Sequence, residues 1–246
     1  RMTESPVAPL VVSLAVPTIF TMLISAVYNM ADTYFVAKLG TSAAGAVGIV
    51  FSVMAIIQAL GFMVGIGCGS QVSRALGRRN RDEANCFASS AMAMAIIFGL
   101  ALSTVGLTFT DPLMELLGAT PTIKPFAADY AKYIFIGTAV MCASIVLNVT
   151  LRSEGRAVLS TIGLGFGGIL NIVLDPIFIF KLNLGISGAA IATLISQCVS
   201  FAILLYFFLS GKSITKLSFR SISGNINVYL TIVKVGFSSF CRQGLA

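Results

Sequence analysis

SPVAPLVVSLAVPTIFTMLISAVYNMADTYFVAKLG, residues 5–40, decides what kind of protein this is. From Ser5 to Ala31 it carries no charge; it then reaches Asp32, and its first lysine comes only at Lys38. A bilayer core is crossed by roughly 20 apolar residues, so the run is long enough to span one. A second acid repeats the situation: Asp175 lies within Ala157 to Phe180, a run with no other charge. The remaining acidic residues fall at or near the ends of apolar segments. An ionisable group inside a span costs several kcal/mol, so it marks an ion or substrate pathway or is paired. Two such acids make the chain a transporter candidate.

The rest of the chain fits that reading. It is 57% hydrophobic and 10% charged, with mean hydropathy +0.96, far from a soluble domain's balance. Further charge-free runs extend from Leu39 to Ser73, Ala84 to Thr110, Tyr133 to Leu151 and Leu182 to Gly211. These runs predict an all-α integral membrane protein with helices over 8–36, 44–73, 85–109, 125–150, 157–180 and 186–210. A seventh is expected from near Val228 to the last residue, Ala246. The expected organisation is a six-helix lobe (1–210), a Ser-, Lys- and Gly-rich linker (211–227) and the start of a seventh helix (228–246). The chain begins with Arg1 and ends inside an apolar run just after Arg242. The expectation is a fragment of a larger transporter, with a missing second lobe as the partner of the first.

The net charge of +7 could point to nucleic acid, but the positions of the basic residues argue against it. Arg74, Arg78, Arg79 and Arg81 form one cluster, Arg152 and Arg156 a second, and Lys212, Lys216 and Arg220 a third. They fall in every second loop, while the alternate loops hold single lysines: Lys38, Lys124 and Lys181. That is the positive-inside pattern, and it places the N-terminus in the cytoplasm of a plasma-membrane protein. No basic stripe is interleaved with exposed aromatics, so nucleic-acid binding is set aside. Cys68, Cys86, Cys142, Cys198 and Cys241 form no CxxC pair, and there is no histidine. No cleavable signal peptide is evident. HExxH, Walker and G-x-S-x-G motifs are absent, so no enzyme is expected. GLGFGG (163–168) lies within a span and follows no strand, so it is not a dinucleotide loop.

Helical spacing gathers polar groups onto single faces. These are Ser25, Tyr28, Asn29 and Asp32; Ser144 and Asn148; Asn171 and Asp175; and Thr193, Gln197 and Ser200. Lipid cannot satisfy such groups, so the stripes should face one another or a wet cavity. Hydroxyls and amides often serve as interhelical glue, the reading preferred for Ser25, Ser144 and Ser200. For Asp32 and Asp175 the larger cost of a charge favours function. Pro17 removes a backbone donor midway along the first helix, which permits either a static kink or a switchable bend. Gly61, Gly65, Gly69 and Ser73 repeat every four residues, a small-residue face for close helix contact. DTYFVAKLG (32–40) and DPIFIFKLN (175–183) echo each other, and either a parallel repeat or shared membrane composition accounts for it.

The run from Pro17 through NMADTYFVAKLG (29–40), QVSRALGRRNRDEA (71–84), LRSEGRA (151–157) and NIVLDPIFIF (171–180) resembles multidrug and toxic compound extrusion (MATE) transporters. The likeness covers the chain in order. It implies one lobe of a twelve-helix fold that exports lipophilic, often cationic compounds against inward proton or sodium flow. The resemblance implies a cation site at Asp32, Asn171, Asp175 and Thr193, able to hold Na⁺. It also implies a helix-four tyrosine, Tyr130 or alternatively Tyr133. Tyr28, Asn148 and Gln197 would line the drug cavity. The family pattern implies a proline early in helix seven, where this chain has Ser238 within VGFSSFCRQ (235–243). No cofactor is implied beyond the coupling ion, and carboxylates, amides and hydroxyls serve H⁺ and Na⁺ alike. The alternatives are a flippase for lipid-linked saccharides, which needs a cationic cavity, and an uncoupled channel or membrane scaffold.

Overall fold

A computed structural model describes residues 7–244, with the side chains of 7–14, 17, 18, 219 and 244 excluded. It consists of α1 (Val7–Ala37), α2 (Thr41–Gly77), α3 (Arg81–Thr108), a short α4 (Thr110–Leu116), α5 (Lys124–Ser153), α6 (Ala157–Pro176), α7 (Gly185–Leu209) and α8 (Ile226–Gly244). A π-helical turn over Ile177–Lys181 extends α6, and a 3₁₀ turn at Phe219–Ser221 precedes α8. No strand forms among the described residues. Six helices are long and apolar enough to cross a membrane: α1 from Ile19, α2, α3, α5, α6 with its π turn, and α7. The six-span expectation therefore holds. Helix α8 is not among them, since Asn227, Thr231, Lys234, Ser238 and Arg242 recur at three- and four-residue intervals and make one of its faces polar.

The boundaries follow local chemistry. Helix α3 starts at Arg81, a turn before the expected 85, because Asn80 caps it. The Asn80 side chain accepts from the Glu83 backbone N–H at 3.1 Å and donates to the Glu83 carboxylate at 3.1 Å. The first of these bonds satisfies a backbone donor that a helix start leaves open. Glu83 also pairs with Arg78 at 3.0 Å, which balances charge within this arginine-rich loop. Residues 110–116 were expected as loop. There α4 forms as Thr110 turns its hydroxyl back to the Gly106 carbonyl at 2.6 Å.

Helix α5 is the centre of the lobe, packing on α2, α3, α6 and α7. Its contact with α2 is made by the predicted small-residue row. A Cβ added at Gly61 would lie 2.7 Å from Ile145, and one at Gly65 would lie 3.3 Å from Val149. Ser73 then donates to the Ser153 carbonyl at 3.0 Å. The opposite edge of α2 meets α8 through a reciprocal notch: a Cβ on Gly67 would run into the Ile232 carbonyl, and one on Gly236 into the Met63 carbonyl. Helix α1 is the least embedded span, packing mainly on α6 and leaving Ile19, Phe20, Met22, Leu23, Val27 and Met30 exposed.

The three basic loops share one end of the bundle. Segment 211–225, which leads from α7 to α8, is fastened there to the start of α3. Lys216 N–H donates to Asn85 Oδ1 at 2.7 Å, Ser218 N–H to Ser89 Oγ at 3.1 Å, and Ser223 N–H to Ser90 Oγ at 3.0 Å. The two echo segments end side by side at the other end, where Phe35 meets Phe180 edge to face with centroids 6.3 Å apart.

Candidate functional site

Helix α6 carries Asn171 and Asp175 one turn apart on the face turned inward, both buried. Asn171 Nδ2 donates to Asp175 Oδ1 at 3.3 Å and to Thr193 Oγ1 of α7 at 3.2 Å. Helix α1, which packs mainly on α6, brings in Asp32, only 3% exposed and one turn beyond Tyr28, which lines a cleft together with Asn171 and Thr193. Tyr130 of α5, fully buried, places its hydroxyl beside Asp32 and Thr193 without meeting either in hydrogen-bond geometry. Of the two candidate tyrosines, Tyr133 lies a turn further on, in a crevice with Gln197 and Met141.

The cluster is under-satisfied. Asp32 Oδ1, Asp175 Oδ2, Asn171 Oδ1 and Tyr130 OH are buried with no hydrogen-bond partner among the described residues, as is Ser196 Oγ. An unpaired buried polar group costs about 1–3 kcal/mol, more when charged. Orphaned oxygens from four helices, two of them carboxylate, form the donor set a hard cation or a proton would satisfy. The residues present therefore fit a hard cation or a proton.

A cleft of about 70 Å³ between α1, α6 and α7 opens onto the cluster, lined by Thr21, Ser25, Tyr28, Asn171, Thr193 and Gln197 among others. It has room for an ion and a few waters, but not for a drug-sized molecule, which needs roughly 300–1,000 Å³. None of its lining residues is basic. Tyr28 and Gln197 thus border the polar cleft itself. Ser25 lines it too, while Ser200 donates to the Gly163 carbonyl at 2.9 Å.

Asn148 does not line this cleft. Its amide donates to the carbonyl and hydroxyl of Ser160 at 3.2 and 2.6 Å, joining α5 to α6. Replacing Asn148 with Ala should cost about 1 kcal/mol of stability, the worth of a buried hydrogen bond, and leave cation dependence of efflux unchanged. Thermal unfolding and vesicle efflux check both. Asn29 faces outward and is exposed, so the α1 stripe is narrower than its spacing implies. Pro17 lies within the helical span of α1, and its side chain falls outside the described residues.

Two features of the site escaped the sequence reading. Ser196 shares the Thr193 face three residues on, a spacing that was open to inspection. Pro176 follows Asp175 directly and cannot donate to the carbonyl four residues back. The helix widens there into the π turn, closed by Leu182 N–H on the Ile177 carbonyl at 2.9 Å. Gly188 of α7 packs against that turn, where a Cβ would lie 2.7 Å from Phe178. Single π turns often accompany functional residues.

Six membrane-spanning helices around a buried, oxygen-rich acid cluster define a lobe of a polytopic membrane transporter. The MatE family model matches residues 17–177, and the chain belongs to that family, whose members are transporters. It is 31% identical over 210 residues to a protein named FAD transporter from Shewanella oneidensis, covering 84% of this chain and 46% of that one. It is 28% identical over 238 residues to multidrug export protein MepA from Staphylococcus aureus, covering 96% and 53%. A solved structure titled as the outward-facing conformation of a multidrug resistance MATE family transporter of the MOP superfamily superposes with a TM-score of 0.90 at 32% identity. That match covers 95% of this chain and 52% of the solved one. The chain spans about half the length of the relatives it matches.

Proposed function

We propose that the chain forms the first lobe of a cation-coupled antiporter that exports lipophilic, often cationic compounds across the plasma membrane. Asp32 is the coupling carboxylate and Asp175 a second charge. Asn171, Thr193 and Tyr130 supply neutral oxygens, and H⁺ or Na⁺ is the coupling ion. The observation that carries the reading is the set of unpartnered buried oxygens on Asp32, Asp175, Asn171 and Tyr130. Burial makes the two neighbouring negative charges costly, and cation entry relieves that cost. Entry then favours one arrangement of the loosely packed α1, with Pro17 as its bend, and cargo favours another, which is alternating access. The compound itself sits outside the small polar cleft, between this lobe and a second. The linker joins the two lobes on the cytoplasmic side, where the N-terminus also lies.

The relative named FAD transporter supports a second reading, export of an anionic dinucleotide. The polar stripes of α1, α5, α6 and α7 carry no arginine or lysine, which favours cationic cargo. Efflux by the full-length transporter in vesicles, under an imposed pH gradient and then an imposed sodium gradient, tests the proposal. Acceleration of a cationic dye by one gradient supports it. Efflux indifferent to both, or of FAD alone, counts against it.

A further inference from the structure

Away from the acid cluster, α3, α7 and the segment that follows α7 enclose an apolar groove of about 360 Å³. Its walls include Met92 and Ile96 of α3, Phe201 and Leu205 of α7, and Leu217 and Ile222 of that segment. The volume falls within the roughly 300–1,000 Å³ of small-molecule sites. Along α7 the lining runs from Phe201 to Leu209, roughly 12 Å at the helical rise, close to the roughly 15 Å of hydrocarbon in one leaflet. Helix α3 begins and α7 ends at the basic end of the bundle, so Leu209 lies near the basic loops and Ile96 and Phe201 lie deeper.

The third wall sets this groove apart from a plain lipid-facing helix surface. Residues 217–222 belong to no spanning helix, and the N–H groups of Ser218 and Ser223 hold them on α3 through Ser89 and Ser90. The same segment carries Lys212, Lys216 and Arg220, all exposed and in no ion pair among the described residues. Residues 211–222 contain no acid. Glu154, the acid this segment touches, is buried, and its oxygens are taken up by Ser213, Ile214 and Thr215. Lys212 Nζ lies 5.7 and 5.4 Å from the ring centroids of Tyr206 and Phe207, on the stretch of α7 that also places Leu205 and Leu209 in the groove.

We propose that the groove holds an acyl chain of an anionic phospholipid from the leaflet that meets the basic loops, with the headgroup phosphate against Lys212, Lys216 and Arg220. Basic pockets between spanning helices suit such headgroups. A soluble anion would leave the apolar walls uncovered, and a neutral lipid would leave three cations without a counter-charge. The second lobe proposed above attaches through α8, which packs mainly on α2 and is not part of the groove's lining. Such a site requires that the helices span a bilayer and is independent of cation coupling.

The test is native mass spectrometry of the full-length transporter titrated with phosphatidylglycerol and with phosphatidylcholine. It is joined to photolabelling in nanodiscs by a phosphatidylglycerol with a diazirine in its acyl chain. Removing each cation should weaken phosphatidylglycerol binding roughly 5-fold, so K212Q/K216Q/R220Q should lose on the order of 100-fold, with little change for phosphatidylcholine. R74Q/R79Q/R81Q removes as many charges from another loop at the same end and should leave binding nearly unchanged. Labelling should concentrate on 89–96 and 201–222. Ala93→Phe, which fills the groove and keeps every charge, should lose that labelling. Equal loss of binding in the two charge variants overturns the proposal, as does labelling spread evenly over the lipid-facing surface. A groove that stays unlabelled because the second lobe or a second copy cross-links to it overturns it as well. Neither readout involves transport, so the outcome is separable from the cation-coupling reading.

Discussion

Replacing Asp32 with Asn should abolish the response of efflux to an imposed cation gradient while the protein still inserts and folds. The substitution keeps the size and polarity of the side chain but removes the charge a cation must neutralise. Coupling energies between two ligands typically amount to about 1–3 kcal/mol, or roughly 5–150-fold in affinity, and that is the acceleration expected to vanish in dye-efflux assays on vesicles. If Asp32 and Asp175 serve one cation site, the two positions should not behave independently. The double variant D32N/D175N should differ from the sum of the single variants by about 0.5–3 kcal/mol. Wild-type gradient response in D32N would refute the assignment of Asp32.

The second large effect is steric and lies at the seam between α2 and α8. Gly236 packs so closely on the Met63 carbonyl that a side chain has no room, and the obstacle is rigid backbone that cannot rotate away. Gly67 meets the Ile232 carbonyl in the same way one turn along. Gly236→Val should force α8 off α2 at a cost of about 1–3 kcal/mol, occasionally more, as overpacking does in a tight core. Cysteines placed across the seam should cross-link more slowly in that variant. Gly48 has nothing within 4 Å of a built Cβ, so Gly48→Ala serves as a control expected to cross-link as the wild type does. Equal rates in all three proteins would show that the notch does not set the α2–α8 approach.

Much of this was readable from sequence because a membrane imposes so few solutions. Charge-free runs had to be helices, since a lipid-exposed backbone must satisfy its own hydrogen bonds. The four-residue recurrence of Gly61, Gly65 and Gly69 required a close neighbour, and α5 is that neighbour. Spacing put Asn171 and Asp175 on one face. Their partnership with Thr193 and the nearness of Asp32 depend on how α1, α6 and α7 pack, which no single helix encodes.

The misses have the same origin. Asn148 shares its stripe with Ser144, and the hydrogen bonds of its amide to Ser160 of α6 could not be read from that stripe alone. Glu154 falls near the end of an apolar segment as the other acids do, and only the return of the chain some 60 residues later buries it. The segment 211–225 reads as a loose linker by composition, but its backbone donors are individually claimed by side chains of α3 and by Glu154. The π turn after Asp175 follows from Pro176, a signal present in the sequence whose consequence depended on Gly188 packing against it.

Reciprocity gives the most direct test of the central claim, that the acid cluster exchanges a cation for cargo. In proteoliposomes with no imposed ion gradient, an outward gradient of the exported compound should drive H⁺ or Na⁺ the opposite way through the full-length transporter. The account predicts countermovement of one of these ions in the wild type, and none in D32N/D175N. Cargo flux with no ion movement in the wild type, or undiminished ion movement in the double variant, would contradict it.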